Sequence, residues 1–375
     1  MLSDYASKLN GRPFQVSRNN LVSAAESMQS KFLKKFLKKI FPCCLTLLFS
    51  SSLIPVSYSQ QLTVYERLPS EMLAVSPPSN RISGDPGDMQ IIDRSCSSLP
   101  RADVRRRLVD IAVQEWAYFG MSEMDLTGIT ENQLAPRDSS GRRRYHRPGF
   151  EEASRVADSI AGYWSAAPDS SWILNRQNQN WERNGLGARW RDFWSAAFIS
   201  WVACESGLGD MNEFSRAIAH HTYIDQAIRA RDGMETDAAY IAYDVGEAEV
   251  NPGDMLCRAS RPEYLNLDQR RPHMGQGART HCDIVVGVDP EAGEIKAIGG
   301  NVRASVRMKV FPAAVNDNAY LAPLPYAGRQ IFAHLKLQAR AIEEDAINNS
   351  PTMLHLESLT STTIINRSLA SNERD

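Results

Sequence analysis

The residue pattern changes once along this chain, near Ala239, and that change restricts the folds open to it. Before it, apolar residues recur at helical spacing. Val104, Leu108, Ile111, Trp116 and Phe119 form one stripe, closed by Gly120, and Phe150, Val156, Ile160 and Trp164 form a second. RDFWSAAFISWV (191–202) predicts a third helix and EFSRAIAHHTYIDQAIRAR (213–231) a fourth, with Trp194 and Trp201 anchoring the core. NRQNQNWERNGLG (175–187), lying between them, carries no core-forming pattern and reads as a polar loop. After Ala239 the runs IAYDV, DMLCR, HCDIVVGVD, EIKAIGG and SVRMKVFP are short, β-branched and divided by Pro, Gly and Asp turns. Helices followed by strands predict an α+β domain, with N-terminal helices packed on a small antiparallel sheet. A chain of 375 residues, 43% of them apolar, is long enough for one main core with appendages.

The appendages lie at the two ends. KFLKKFLKK (31–39), the apolar run IFPCCLTLLFSSSLIPV (40–56) and the small residues of SYS (57–59) follow the order of a secretory signal. Pro42 and Pro55 interrupt the run and make it a poor membrane span. The expectation is therefore residues 1–59 as a signal peptide, with translation starting at Met28 as an alternative, and no membrane span after cleavage near Ser59. Residues 60–96, rich in Pro, Ser and Gly, read as a flexible linker. The main domain is expected over 97–337, and 338–375 as a polar helix (LQARAIEEDAI, 337–347) and a mobile tail. The overall charge of −2 conceals a strongly basic leader and an acidic body, and an acidic body disfavours nucleic acid as a partner. Cys43 and Cys44 leave with the signal. Cys96, Cys204, Cys257 and Cys282 then enter a periplasmic or secreted, disulfide-permissive compartment, where three pairings are open to them.

Three elements stand in a suggestive order: a small hydroxyl, Ser195, opening the apolar helix WSAAFISWV; NPGDMLCR; and His281 opening HCDIVVGVD. GGNV (299–302) follows one strand later. In this order the chain resembles the papain-like cell-wall amidases of the CHAP and NlpC type. It is most similar to the bacterial domain-of-unknown-function family 2272, in which Ser takes the place of the nucleophilic Cys. The resemblance covers roughly Pro100 to Leu337 and implies a papain-like core. By position it assigns Ser195 as nucleophile, His281 as base and Asn301 as the residue orienting the ring.

A serine in place of cysteine changes the chemistry required. A thiol near pKa 8.5 can rest as thiolate beside an imidazolium, whereas a hydroxyl must pass its proton to His during attack, leaving an imidazolium that needs a carboxylate. In the Ser-His-Asp template, Asp replaced by Asn lowers turnover by about 10⁴. Asp283, two residues beyond His281 on a strand, faces the same side and supplies an acid partner. Cys204 falls on the opposite face of the helix from Ser195 and Cys282 on the opposite face of the strand from His281, so neither supplies a thiol. His220 and His221, adjacent on the fourth helix, diverge too far to chelate one metal and read as packed or exposed helix residues. No dinucleotide, P-loop, HExxH or paired CxxC motif is present, so no cofactor or metal is expected. The resemblance and the leader together imply an exported cell-envelope hydrolase or transferase acting on an amide, with peptidoglycan stem peptides or a similar peptide as substrate. Two other readings fit the same residues: a catalytically inactive module binding a wall peptide or protein partner, and a serine esterase or acyltransferase.

Overall fold

The computed structural model describes residues 66–128, 148–168 and 170–359. The expected signal peptide, most of the Arg-rich stretch before Phe150 and the expected C-terminal tail beyond 359 lie outside these residues. Helix α1 (Arg101–Tyr118) starts directly after Pro100 and buries Val104, Leu108, Ile111 and Trp116, the stripe read from the sequence. After a short helix at Phe150–Arg155 come α2 (Ala157–Tyr163), α3 (Ser171–Asn184), α4 (Ser195–Ser206) and α5 (His221–Arg231). Helix α4 is buried on nearly every side because it lies inside the domain, with Trp194 just before it and its own Trp201 against Tyr163.

Helix α3 replaces the polar loop expected over 175–187. Its inward side carries Ile173, Leu174 and Trp181, and the buried amides between them are fully employed. Gln177 accepts from Arg191 N–H at 3.0 Å, and Asn178 accepts from Met89 N–H while donating to Met89 C=O. Polar side chains can be buried where they satisfy loop backbone, and a hydrophobicity pattern does not register them. The fourth helix is also shorter than expected, starting at His221 rather than near Glu213.

Residues 66–96 are packed rather than free. A two-stranded ladder (Ile82–Ser83 with Gln90–Ile91) and buried Leu68, Leu73, Val75 and Met89 lie against the helices. Arg81 pairs with Glu205 at 2.5 Å, and a disulfide joins Cys96 to Cys204. Composition suggested a linker, but specific long-range bonds hold the segment.

The sheet has eight strands: β1 (Glu123–Asp125), β2 (Tyr240–Tyr243), β3 (Met255–Arg261), β4 (Arg279–Asp289), β5 (Glu294–Val302), β6 (Ser305–Val315), β7 (Leu321–Pro323) and β8 (Ala333–Leu337). The order is β1-β6-β5-β4-β3-β8-β2, with β7 on β6. The β1–β6 pair is parallel and the others antiparallel, so the sheet is mixed and larger than expected. Residues 337–347, expected as a helix, are the end of β8 followed by turns, and helix appears instead over 351–359. The fold class is α+β. One sheet face, with Met255, Cys257, Cys282, Ile284 and Ile298, shares the main core with the helices; the other, with Leu256, Val285, Ala297 and Phe311, carries a second core. No helix of the described residues is long and apolar enough to cross a membrane.

The PGD motif explains how α1 is fixed to this sheet. Asp254 is fully buried and accepts from Arg105 of α1 (2.8 Å), from Leu337 N–H (3.0 Å) and from His334 Nε2 (2.9 Å). Burial opposes its ionisation, but these donors hold the carboxyl below its usual range. Gly253, at φ 91°, lets the Arg105 stem approach: a Cβ there would meet Arg105 Cγ at 2.7 Å.

Candidate functional site

Ser195 is the first residue of α4 and is 8% exposed. The first bond of the helical ladder runs from Phe198 N–H to Trp194 C=O at 3.0 Å. The N–H groups of Ser195, Ala196 and Ala197 therefore precede the ladder, at the positive end of the helix dipole. The hydroxyl partner of Ser195 is His220: Oγ lies 2.7 Å from Nε2. Because the helix begins at His221, His220 sits just before it and turns inward, 4% exposed.

The other nitrogen of His220, Nδ1, faces two donors, the Tyr223 hydroxyl and Cys282 N–H at 3.3 Å. The Tyr223 phenol pKa is raised by burial, so its O–H stays protonated, and a backbone N–H can only donate. Nδ1 is therefore the acceptor, and the neutral ring carries its proton on Nε2, donated to Ser195 Oγ. Burial, with His281 nearby, pushes the His220 pKa well below the ordinary histidine value, which keeps the ring neutral.

Sheet geometry makes room for this contact. Strands β4 and β5 pair only as far as Ile284↔Ile298, and β5 then shifts register between Gly299 and Val302. Cys282, across from Cys257 in the β3–β4 pair and bonded to it by a disulfide, thus sends its N–H to His220. The two glycines serve opposite faces. A Cβ on Gly300 would meet Phe198 of α4 at 2.5 Å, and one on Gly299 would meet Asp283 Oδ1 at 1.9 Å.

His281, Asp283 and Lys309 form the second half of the site. His281 Nε2 lies 2.9 Å from Asp283 Oδ1, and Lys309 Nζ lies 2.7 Å from both carboxylate oxygens and 3.1 Å from His281 Nε2. Burial opposes ionisation of Asp283, yet His281 and Lys309 hold its carboxyl well below the usual range. An ionised carboxylate only accepts, so the hydrogen bond to Asp283 sets the His281 proton on Nε2, and the ammonium of Lys309 then lies beside that N–H without bonding to it. Burial pushes the His281 pKa down to about 4 and the Lys309 pKa down to about 8. The His220 and His281 rings meet edge to face, centroids 5.2 Å apart.

The residues expected from sequence are thus partly assembled. Ser195 bonds to His220 rather than to His281. The His281 ring is oriented by Asp283. Asn301, at φ 56° in the register shift of β5, makes no side-chain hydrogen bond among the described residues. Cys204 and Cys282, expected to point away from the Ser–His pair, are both in disulfides. Tyr223 and Lys309 were missed, and His220 was read as a packed or exposed helix residue. The HHTY spacing, which sets a tyrosine three residues from a histidine, was the available signal for His220 and Tyr223. Among the described residues no group of three or more His, Cys, Asp or Glu could hold a metal ion.

A family model described as an uncharacterized protein conserved in bacteria (DUF2272) matches residues 151–323, a span holding Ser195, His220, His281, Asp283, Asn301 and Lys309. No curated protein and no solved structure matches the chain.

Proposed function

We propose that this protein is an exported acyl-transfer hydrolase that uses Ser195 to attack an amide in a peptide-like envelope substrate, peptidoglycan stem peptides being the leading class. One observation carries the reading: a serine at a buried helix start is bonded to one imidazole, beside a second imidazole oriented by an ionised carboxylate. The papain-like kinship and the wall substrate rest on motif order and the leader.

In the proposed cycle Ser195 Oγ bonds to the substrate carbonyl carbon, and its proton passes to His281 Nδ1, directly or through one water. Asp283 stabilises the imidazolium that forms. The oxyanion is held by N–H groups at the start of α4. His220 Nε2–H remains a donor to the Ser195 oxygen as it becomes part of the ester. His281 then protonates the leaving amine as the C–N bond breaks, and water repeats the sequence to release the acid.

The resting tautomer of His220 favours a second reading. It offers Ser195 a donor rather than a base, as a module that binds a wall peptide without turnover would. Incubation with purified muropeptides separates the two. The hydrolase reading expects new free amines, absent with Ser195→Ala and lowered at least 10²-fold in Asp283→Asn, scaled from the triad precedent. Binding without amine release by the wild-type protein contradicts it.

A further inference from the structure

Arg258 has an unusual position for a guanidinium. It lies on β3 directly across from His281 on β4, so the two side chains project from the same sheet face. It is half-buried, and among the described residues its side chain has no hydrogen-bond or ion-pair partner. Its charge is nevertheless felt throughout the site, opposing protonation of His220, His281 and Lys309. Among the described residues the carboxylate that acts on His281 is that of Asp283, and Lys309 already engages both of its oxygens. Around His281, Lys309 and Arg258 therefore set two positive charges against the one carboxylate of Asp283, and Arg329 adds to the positive charge felt by Lys309.

A second arginine continues this face outward. Arg279, two residues before His281 on β4, is exposed, and its guanidinium packs 5.7 Å from the ring of Phe193. Phe193, two residues before Ser195, is 71% exposed. The residues two before Ser195 and two before His281 thus meet at the surface, where an apolar ring and a guanidinium lie side by side.

We infer that Arg258 forms a subsite for a carboxylate of the substrate, with Arg279 and Phe193 gripping the flanking part of the same molecule. This deepens the proposed hydrolase function and rests on it for the word substrate, though not for the anion site itself. The planar fork of a guanidinium matches a carboxylate with two parallel hydrogen bonds, and a partly desolvated, unpaired arginine gains most from such a partner. An acidic peptide group bound there places the neighbouring acyl carbon near Ser195 and brings a negative charge toward His281. A bound anion facing His281, alongside Asp283, Lys309, Arg258 and His220, raises the His281 pKa by favouring the imidazolium.

The test titrates succinate, succinamate, succinamide and inorganic phosphate into the full mature protein while the His281 ring resonances are followed. The first three share a shape and differ in charge. The inference expects saturable binding of succinate about tenfold tighter than succinamide, one charge-assisted hydrogen-bond pair's worth, and a raised His281 pKa. Arg258→Gln should erase that preference and Arg258→Lys should keep part of it. Equal binding of succinate and succinamide, or a preference that survives Arg258→Gln, overturns the inference. Binding of phosphate alone overturns the carboxylate assignment. The wild-type series decides by itself should a substitution lower stability. A charge preference without turnover removes the hydrolase reading and leaves the subsite; turnover without charge preference does the reverse.

Discussion

At the scale of single residues, the site depends on which atom holds each proton. Cys282 N–H and Tyr223 O–H decide the tautomer of His220, and Asp283 decides that of His281. Gly299 is the residue where a small change has the largest expected consequence. Gly299→Ala drives a methyl into Asp283 and should cost about 1–3 kcal/mol of stability as overpacking, with a loss of activity larger than the stability loss explains. Chemical denaturation alongside amine-release rates checks this. Titration gives a second expectation. The His281 ring has a pKa of about 4 in the folded protein, against about 6.5 unfolded. Between those values the unfolded chain binds more protons, so the ring's contribution to stability is whole above about pH 6.5 and is lost as pH falls toward 4. Lowered Asp283 extends that loss to more acid pH. The activity profile should accordingly stay flat through pH 6 to 5 and fall near 4, and a fall centred near 6.5 would mean that the base is a different, solvated group. The Ser195 helix start and the shared side of His281 and Asp283 were legible in the sequence, because each follows from a fixed period. Lys309 was not, because its role arises from partners remote in the chain, and Tyr223 left only the short HHTY spacing to His220 as a signal.

At the scale of elements, the joints matter more than the elements themselves. Strand β4 was readable from HCDIVVGVD, but its parting from β5 beyond Ile284 was not, and that parting admits His220. GGN marks a register shift in which each glycine clears space on one face. Helix α3 escaped detection because glutamine and asparagine take core places while bonding loop backbone. The PGD motif belongs here too. In the sequence it reads as part of an amidase-like motif order, yet Asp254 serves to bind α1 to β3 and β8. Asp254→Ala leaves Arg105 buried without its partner and should cost about 3–5 kcal/mol. Asp254→Asn, which keeps the shape and some hydrogen bonds, should cost less, and both can be ranked by urea midpoints. Equal midpoints for the wild-type protein and Asp254→Ala would show that α1 is held by its apolar stripe alone.

At the scale of the whole molecule, two disulfides tie distant parts of one body together. Cys96–Cys204 closes 108 residues and anchors the segment before α1, while Cys257–Cys282 closes 25 and spans β3 and β4 next to His281. By loop entropy the first should stabilise by about 5 kcal/mol and the second by about 3.5. Together with the leader they predict a mature protein recovered outside the cytoplasm, starting near Gln60, with both bonds formed. Full-length protein with reduced cysteines in the cytosol would contradict that. The central claim, that Ser195 is a nucleophile activated by its imidazole and carboxylate neighbours, is most directly tested by labelling the folded, oxidised protein with a fluorophosphonate and locating the adduct by mass spectrometry. The account predicts one covalent adduct, on Ser195, formed faster at pH 7 than at pH 4 and slowed at least 10²-fold in Asp283→Asn, as triads lacking their acid behave. No adduct on Ser195 at any pH, while His220 and His281 hold the positions described, would contradict it.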